Sequence, residues 1–559
     1  MPRLSSSQPL ILALMMPLLL SQCTSGFFRK RADKETFGIL GKKASKVPNV
    51  GTGLMDITPP PPIQMSDMLK KTQKPEFLGE RKFVEKDATQ LTLAKSLGLS
   101  VERNRPYLRR KEIVYLDALD LTATRQRFSP ILDGGGGTRF TERQVETGVN
   151  NFVRTSTLTT TGGVGFSALS RAGTRIASDL TTDFVRFFTG GLGRAGDSSL
   201  AFSLSQPLLR GAGYLAASEV LTQAERDVLY TIRDFTQFRK SFAVDTTDSY
   251  FRVLQAREAA KNAYMAYQAF SDTVKRETAM AEANRRSKSS LGRLRQADIS
   301  NERRWYTAVR NYEQALDNFK IDLGIPVEER IILDESDFSN LRIIDPPGTL
   351  DEAVETAMST RLDLWNARDR VEDAERRVRV AKQGLLPSLN SVVGYTTSSR
   401  PGSRGLELSN RQRNITAGLD LDLDLNRKPE RNTLRAAEID LQRFNRDLEL
   451  NEESIRNQVR TAWRDLEVAR KQYDLAQRGL ALSEQRLSIE EAFNIEGQGT
   501  ALDLIDAQQD LIDARNLVVS TLINHTIARL RLWRDMGILF IKKDGSWERV
   551  LQQEPPRPE

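Results

Sequence analysis

The stretch Ile415-Thr-Ala-Gly-Leu-Asp-Leu-Asp-Leu-Asp-Leu425 decides the fold. Ile415, Ala417, Leu419, Leu421, Leu423 and Leu425 fall on one side of an extended chain; Thr416, Gly418, Asp420, Asp422 and Asp424 fall on the other. One face is wholly apolar and the other strongly acidic, over the ~9–11 residues a tilted strand needs to cross a bilayer. A soluble sandwich would have to offer three consecutive carboxylates a solvent-filled space. The Asp-x-Asp-x-Asp spacing also resembles the start of a calcium loop. Leu425 stands where that loop needs its turn glycine and Arg431 where it needs its final glutamate, so calcium is excluded.

Around this strand the chain is helical. Downstream, a helix is expected from about Asn432 to Ile495, with Ile455, Val459, Ala462, Leu466, Ala469, Tyr473, Ala476 and Leu480 at 4-3 spacing. Such a seam stays on a neighbour only if the helices supercoil left-handedly. Gly497 and Gly499 mark a turn. The return helix carries Leu504, Ala507, Leu511, Ala514, Val518, Thr521, His525 and Ala528 as its matching stripe. Asp503 and Asp506 lie one turn apart at its start.

Upstream, the same order occurs a first time. Helices from Leu91 and Asn104 lead to Ser129-Pro130, and Thr155 to Gly213 switches to Gly, Ser, Thr and alternating apolar residues. Leu200, Phe202 and Leu204 have strand spacing. A helix of roughly 73 residues then runs from Tyr214 to Arg286; if continuous it spans ~110 Å, longer than a compact domain accommodates. A turn is expected between Ser287 and Gly292. The return helix carries Trp305, Ala308, Tyr312, Ala315 and Phe319 and stops at Leu323-Gly324-Ile325-Pro326. The expected organisation is a signal peptide over 1–22, an N-terminal extension or tether with little core over 23–88, repeat 1 over 89–325, a linker over 326–348, repeat 2 over 349–537 and a tail over 538–559. Four strands per chain cannot close a barrel with a lumen, and open edges are not tolerated in lipid. Strands from several chains must combine.

Composition narrows the function. The 559 residues include 82 basic and 74 acidic side chains, net +8, but the two signs are interleaved as on solvated helix faces. With no aromatic-basic platform, nucleic acid is not an expected partner. Arg3, the apolar run Leu10–Leu20 and Ser21-Gln22-Cys23 read as a short secretory signal. Cys23, the sole cysteine, is either an incidental thiol in that signal or a lipidation site; lipidation is the favoured reading, although Gln22 is larger than the residue expected there. His525 is the sole histidine, which removes zinc motifs and triads that need another histidine; its place on the heptad stripe makes it an interface residue. The run Gly134–Gly137 lacks the lysine of a phosphate loop and reads as a flexible loop. No cofactor, metal or catalytic constellation is expected, and the protein is not expected to be an enzyme.

The duplicated plan resembles the TolC-type outer-membrane efflux proteins over about Leu91 to Gly537. The second repeat carries the resemblance in Arg361-Leu-Asp363-Leu, Ala374-Glu375, Ala381-Lys-Gln-Gly-Leu-Leu386-Pro387-Ser-Leu389, Gly497 and Leu502-Asp503-Leu504-Ile-Asp506-Ala507-Gln508. In the first repeat Asn104-Arg-Pro106, Gln296-Ala297-Asp298 and Ala315-Leu316-Asp317 to Leu323-Gly324 are the weaker anchors. The resemblance implies a mainly α fold with a β-barrel part, built from duplicated strand–long helical hairpin repeats. A homotrimer would form a 12-stranded barrel in outer-membrane lipid and a periplasmic α-helical tunnel. It implies an exit duct of a tripartite efflux or type I secretion system, passively conducting cargo from an inner-membrane RND or ABC-type transporter through a periplasmic adaptor. Asp503 and Asp506 would ring the periplasmic constriction, and Asp420, Asp422 and Asp424 would face the barrel lumen. Asn494 and Gly499 stand where some members carry a tyrosine and an arginine that latch the tunnel. Basic residues at the first hairpin (Arg285, Arg286, Lys288, Arg293 and Arg295) would face the acidic second one, against the plainer alternative of an ordinary solvated hairpin. The rival reading is a non-conducting structural coiled-coil lipoprotein of the periplasm.

Overall fold

The computed structural model describes residues 25–50, 56–60, 70–71, 75–148, 151–188, 194–283, 288–346, 348–400, 408–496 and 498–547. Cys23 and Gly497 lie outside them. The chain divides into two units, one within residues 1–43, 115–231 and 366–448, the other within 44–114, 232–365 and 449–559.

The first unit is built on a six-stranded antiparallel sheet. Its strands are β3 (Ile131–Gly148), β4 (Asn151–Leu169), β5 (Arg175–Phe187), β6 (Arg194–Pro207), β8 (Ser388–Ser399) and β9 (Leu408–Asp422), hydrogen-bonded in that order. Four strands per chain were expected; six are present, because repeat 1 supplies two hairpins where repeat 2 supplies one. The Gly134–Gly137 run is not a loop. It lies inside β3, with Gly134 opposite Val164 and Gly137 opposite Thr161. The same unit holds α1 (Ser25–Ala44), the later part of α3 (Arg105–Gln126), α4 (Gly213–Ala217), the start of α5 (Glu219–Glu282), α9 (Leu362–Gly384) and the start of α10 (Lys428–Glu496). A buried polar network binds α5 to α9. Tyr230 Oη donates to Asp373 Oδ2 at 2.6 Å, and Arg226 pairs with Asp373 at 2.5 Å. Arg376 bridges Asp373 at 2.8 Å and Glu219 at 2.6 Å. With every carboxylate oxygen of Asp373 engaged, its burial is compensated.

The second unit is a helical core with a small sheet. It holds α2 (Leu93–Arg103), most of α5, α6 (Lys288–Leu323), α7 (Ser336–Ser339), α8 (Leu350–Thr360), the remainder of α10 and α11 (Ala501–Asp535). Strands β1 (Lys70–Lys71), β2 (Ala88–Leu91) and β7 (Ile331–Leu333) form its sheet, antiparallel and then parallel. The seam read from sequence is present: Ile455, Val459, Ala462, Leu466, Ala469 and Ala476 are buried on α10, and Leu504, Ala507, Leu511, Thr521 and His525 on α11. Gly292 does not turn the chain. It is the fifth residue of α6, since one exposed glycine lowers helix stability by only ~1 kcal/mol.

Much of residues 23–88, read as a tether with little core, is ordered and packed. In the second unit a 3-10 segment, Glu76–Val84, buries Phe77 and Leu78 in the core, and Trp305 Nε1 donates to the Phe77 carbonyl at 2.6 Å. Glu85 is fully buried in a bidentate pair with Arg257, at 2.7 and 2.8 Å, and accepts from Tyr312 Oη at 2.8 Å.

The duplication is visible in how each return helix ends. In repeat 1, α6 stops at Gly324 (φ +71°), where a Cβ would lie 2.4 Å from the Arg103 carbonyl oxygen; Asn104 Nδ2 donates to Asp322 O at 2.8 Å. In repeat 2, α11 stops at Gly537 (φ +77°), packed on Thr360, whose hydroxyl donates to Met536 O at 2.6 Å. Lys240 Nζ adds a bond to Gly537 O at 2.7 Å; burial first, then the neighbouring Arg361 cation, push its ammonium down to about 8. Each helix C-terminus thus has its orphan carbonyls met by side-chain donors and its positive-φ position filled by glycine.

Candidate functional site: a two-faced sheet and a helical hairpin

Strand pairing sets the two faces of the sheet. The row through Ile415 continues opposite Tyr395, Phe202, Ser178, Phe166 and Leu132. The same face carries Val164, Leu180, Phe184 and Leu419. These residues have no core to enter: Leu132 is 76% exposed, Leu419 66%, Ile415 63% and Val164 60%. The opposite face is made almost entirely of small and polar side chains. Its row through Asp179 reads Gly165, Asp179, Ala201, Thr396 and Asn414. An exposed apolar band of this extent, backed by a polar face, has the two-sided pattern of a wall between lipid and water. No described helix is long and apolar enough to cross a membrane.

Asp420 and Asp422 lie on the polar face, opposite Asn390 and Ser388. Asp424 does not extend that row. The strand ends at Asp422, and Asp424 turns back to accept from the Asn426 amide at 3.2 Å. The sequence reading carried the strand to Leu425; the chain leaves the sheet three residues earlier because the Asx turn competes for the backbone.

The hairpin between α10 and α11 belongs to the second unit. The amides of Gln498 and Gly499 both return to Phe493 O, at 3.0 and 2.9 Å. A Cβ on Gly499 would stand 3.0 Å from the Asn494 nitrogen, so a side chain there would crowd the backbone of the turn. Thr500 caps α11: its hydroxyl accepts from the Asp503 amide at 3.2 Å and donates to Asp503 Oδ2 at 2.5 Å. Asp503 is therefore a capping carboxylate as well as an exposed charge, favoured by the helix N-terminus. Asp506, one turn on, is exposed and makes no ion pair among the described residues. Two charge pairs tie the arms of this hairpin, Arg486 to Asp510 and Arg515 to Glu484; sequence reading did not single them out. At the first hairpin, Arg285 and Arg286 lie outside the described residues, while Arg293 and Arg295 are exposed on α6.

Residues 353–537 match a family model described as outer membrane efflux protein. That stretch is the second repeat and spans less than half of the chain. Solved structures similar to four fifths of the chain or more share its fold. The CusC structure, described for its folding and transmembrane channel formation, has a TM-score of 0.58 at 14% identity, covering 86% of this chain and 97% of its own. The Campylobacter jejuni CmeC outer membrane channel gives 0.57 at 15%, covering 80% and 85%. The open state of the Neisseria gonorrhoeae MtrE outer membrane channel gives 0.59 at 16%, covering 80% and 89%. No curated protein sequence matches. The likeness to these channels shows the fold: sheet strands and long helical hairpins, twice over. The described sheet is open, ending at β3 and β9.

Proposed function

We propose that the protein is the outer-membrane exit duct of a tripartite efflux or type I secretion system. The observation that carries this reading is the sheet: an exposed apolar band on one face and a hydroxyl- and carboxylate-rich face behind it, on strands long enough to cross a bilayer. Open edges in hydrocarbon must pair, and copies of the same chain supply the missing strands, as a homotrimer. The duct conducts passively. A periplasmic adaptor and an inner-membrane RND or ABC-type pump deliver its cargo, and Cys23 carries a lipid at the outer membrane of a Gram-negative-type cell. Asp420 and Asp422 line the lumen; Asp503 and Asp506 ring the periplasmic mouth.

Reconstitution of the purified trimer into planar bilayers tests the reading. Discrete conductance steps are expected; electrically silent membranes that contain the trimer would sink it.

A further inference from the structure

Two chain edges of the sheet carry a consequence for the size of the pore. In the order β3-β4-β5-β6-β8-β9 every neighbouring pair is antiparallel, and the outer sides of β3 and β9 have no partner strand in the sheet. Five antiparallel steps separate them, so they run in opposite directions. The free edge of β9 can accept another copy's β3 and keep the alternation unbroken.

Three features fit those edges to each other. First, the apolar band climbs across the hydrogen-bonded rows. From the row shared by Ile415 and Leu132 it continues down β9 through Ala417, Leu419 and Leu421, but up β3 to Phe140 and up β5 through Leu180 and Phe184. That stagger is what tilted strands in a barrel wall produce, since the lipid band is level while the strands are not. Second, β3 presents Gly134 and Gly136 on its apolar face, while β9 presents Ile415, Leu419 and Leu421 at 63%, 66% and 56% exposure. Bare glycines on one edge leave room for a neighbouring strand and its bulky side chains to approach closely. Third, the two edge strands are comparable in length, 18 and 15 residues.

We propose that β9 of one copy pairs with β3 of the next, so that three copies close a barrel of 18 strands rather than 12. The count rests on the trimeric reading above; the edge pairing does not. With strands ~4.8 Å apart and tilted ~40°, 18 strands give a backbone diameter of about 36 Å, against about 24 Å for 12. The polar inner face is dominated by Gly, Ser, Thr, Asn and Asp, which fill little of that width. The outer-membrane stretch then admits cargo bulkier than one α-helix, ~10–12 Å across, such as a polypeptide retaining secondary structure.

The test is disulfide trapping in the full-length chain, pairing Gly134→Cys, Gly136→Cys or Thr138→Cys on β3 with Ile415→Cys, Ala417→Cys or Leu419→Cys on β9. Oxidised, boiled samples of at least one pair should give a covalent ladder ending at three copies, absent from either single variant. Cross-linking between copies from Ala417→Cys to Leu180→Cys on β5 would overturn the proposal, because β9 would then meet β5 with the β3–β4 hairpin left outside a 12-stranded wall. A ladder ending at two or four copies would overturn the count of 18. If the variants do not assemble, the strand count in an electron-microscopy map of the unmodified protein decides: 18 supports the proposal and 12 overturns it. Native mass of the unmodified protein separates a failed trimer from a failed edge pairing.

Discussion

His525 is fully enclosed on α11, and both ring nitrogens lack a hydrogen-bond partner among the described residues. Burial lowers its pKa to about 4, helped by the Arg529 and Arg470 cations and opposed by Asp345 and Asp474. The folded value lies below the unfolded ~6.5, so the unfolded chain binds the extra proton. The stability is fully present above pH 6.5 and is lost as pH falls towards 4, by about 3 kcal/mol. Thermal melts at pH 7.5 and 4.5, followed by the helical circular dichroism signal, should show a smaller acid-induced drop for His525→Phe than for the unmodified protein. Glu85 gives a second expectation at this scale. Arg257→Ala leaves its carboxylate buried with only Tyr312 beside it, a loss of roughly 3–5 kcal/mol, read as a melting point lower than that of the exposed control Arg435→Ala. At the hairpin, Asp503→Ala/Asp506→Ala should reduce cation preference in single-channel recordings; an unchanged reversal potential would remove those carboxylates from the filter. Sequence identified His525 as an interface residue because a heptad position is a local pattern. It could not foresee Glu85, whose burial depends on a partner 172 residues away.

Elements explain which parts were legible. The α10 seam was read residue by residue because alanine, leucine and valine recur at 4-3 spacing over many turns, and each one is buried or half-buried. Strand β9 was equally plain, with leucine and aspartate in strict alternation. Strand β3 escaped, although most of β4 fell within the strand-like stretch from Thr155, because the polar face of this hairpin is rich in glycine and threonine and its apolar face is interrupted by Gly134, Gly136, Thr138 and Thr160. Barrel strands need only a weak alternation, and four consecutive glycines erase it. The faces make opposite predictions for substitution. Leu419→Arg sets a charge in the apolar band and should cost ~2–4 kcal/mol, visible as loss of the heat-resistant oligomer on semi-native gels. Gly418→Ser, one residue away on the polar face, should leave that band intact.

At the scale of the molecule, duplication is the organising fact. Two repeats with little sequence in common both run from a kinked helix pair into strands, out along a long helix and back along a return helix that ends on glycine. The return helices are tethered at their C-termini by buried donors, Asn104 for α6 and Thr360 with Lys240 for α11. The other end of α11 begins at an exposed turn beside Asp503. Mechanically the hairpin is a reed clamped at the Gly537 end, in which Leu504, Ala507, Leu511 and the Arg486–Asp510 and Arg515–Glu484 pairs make α11 move together with its partner arm of α10. At 35 residues and 1.5 Å per residue, α11 is ~50 Å long. A rotation of about 10° at the Gly537 clamp would carry its far end through ~9 Å, so an adjustment of a few tenths of an ångström in the hydrogen bonds to Thr360 and Lys240 is amplified into a displacement on the scale of a pore.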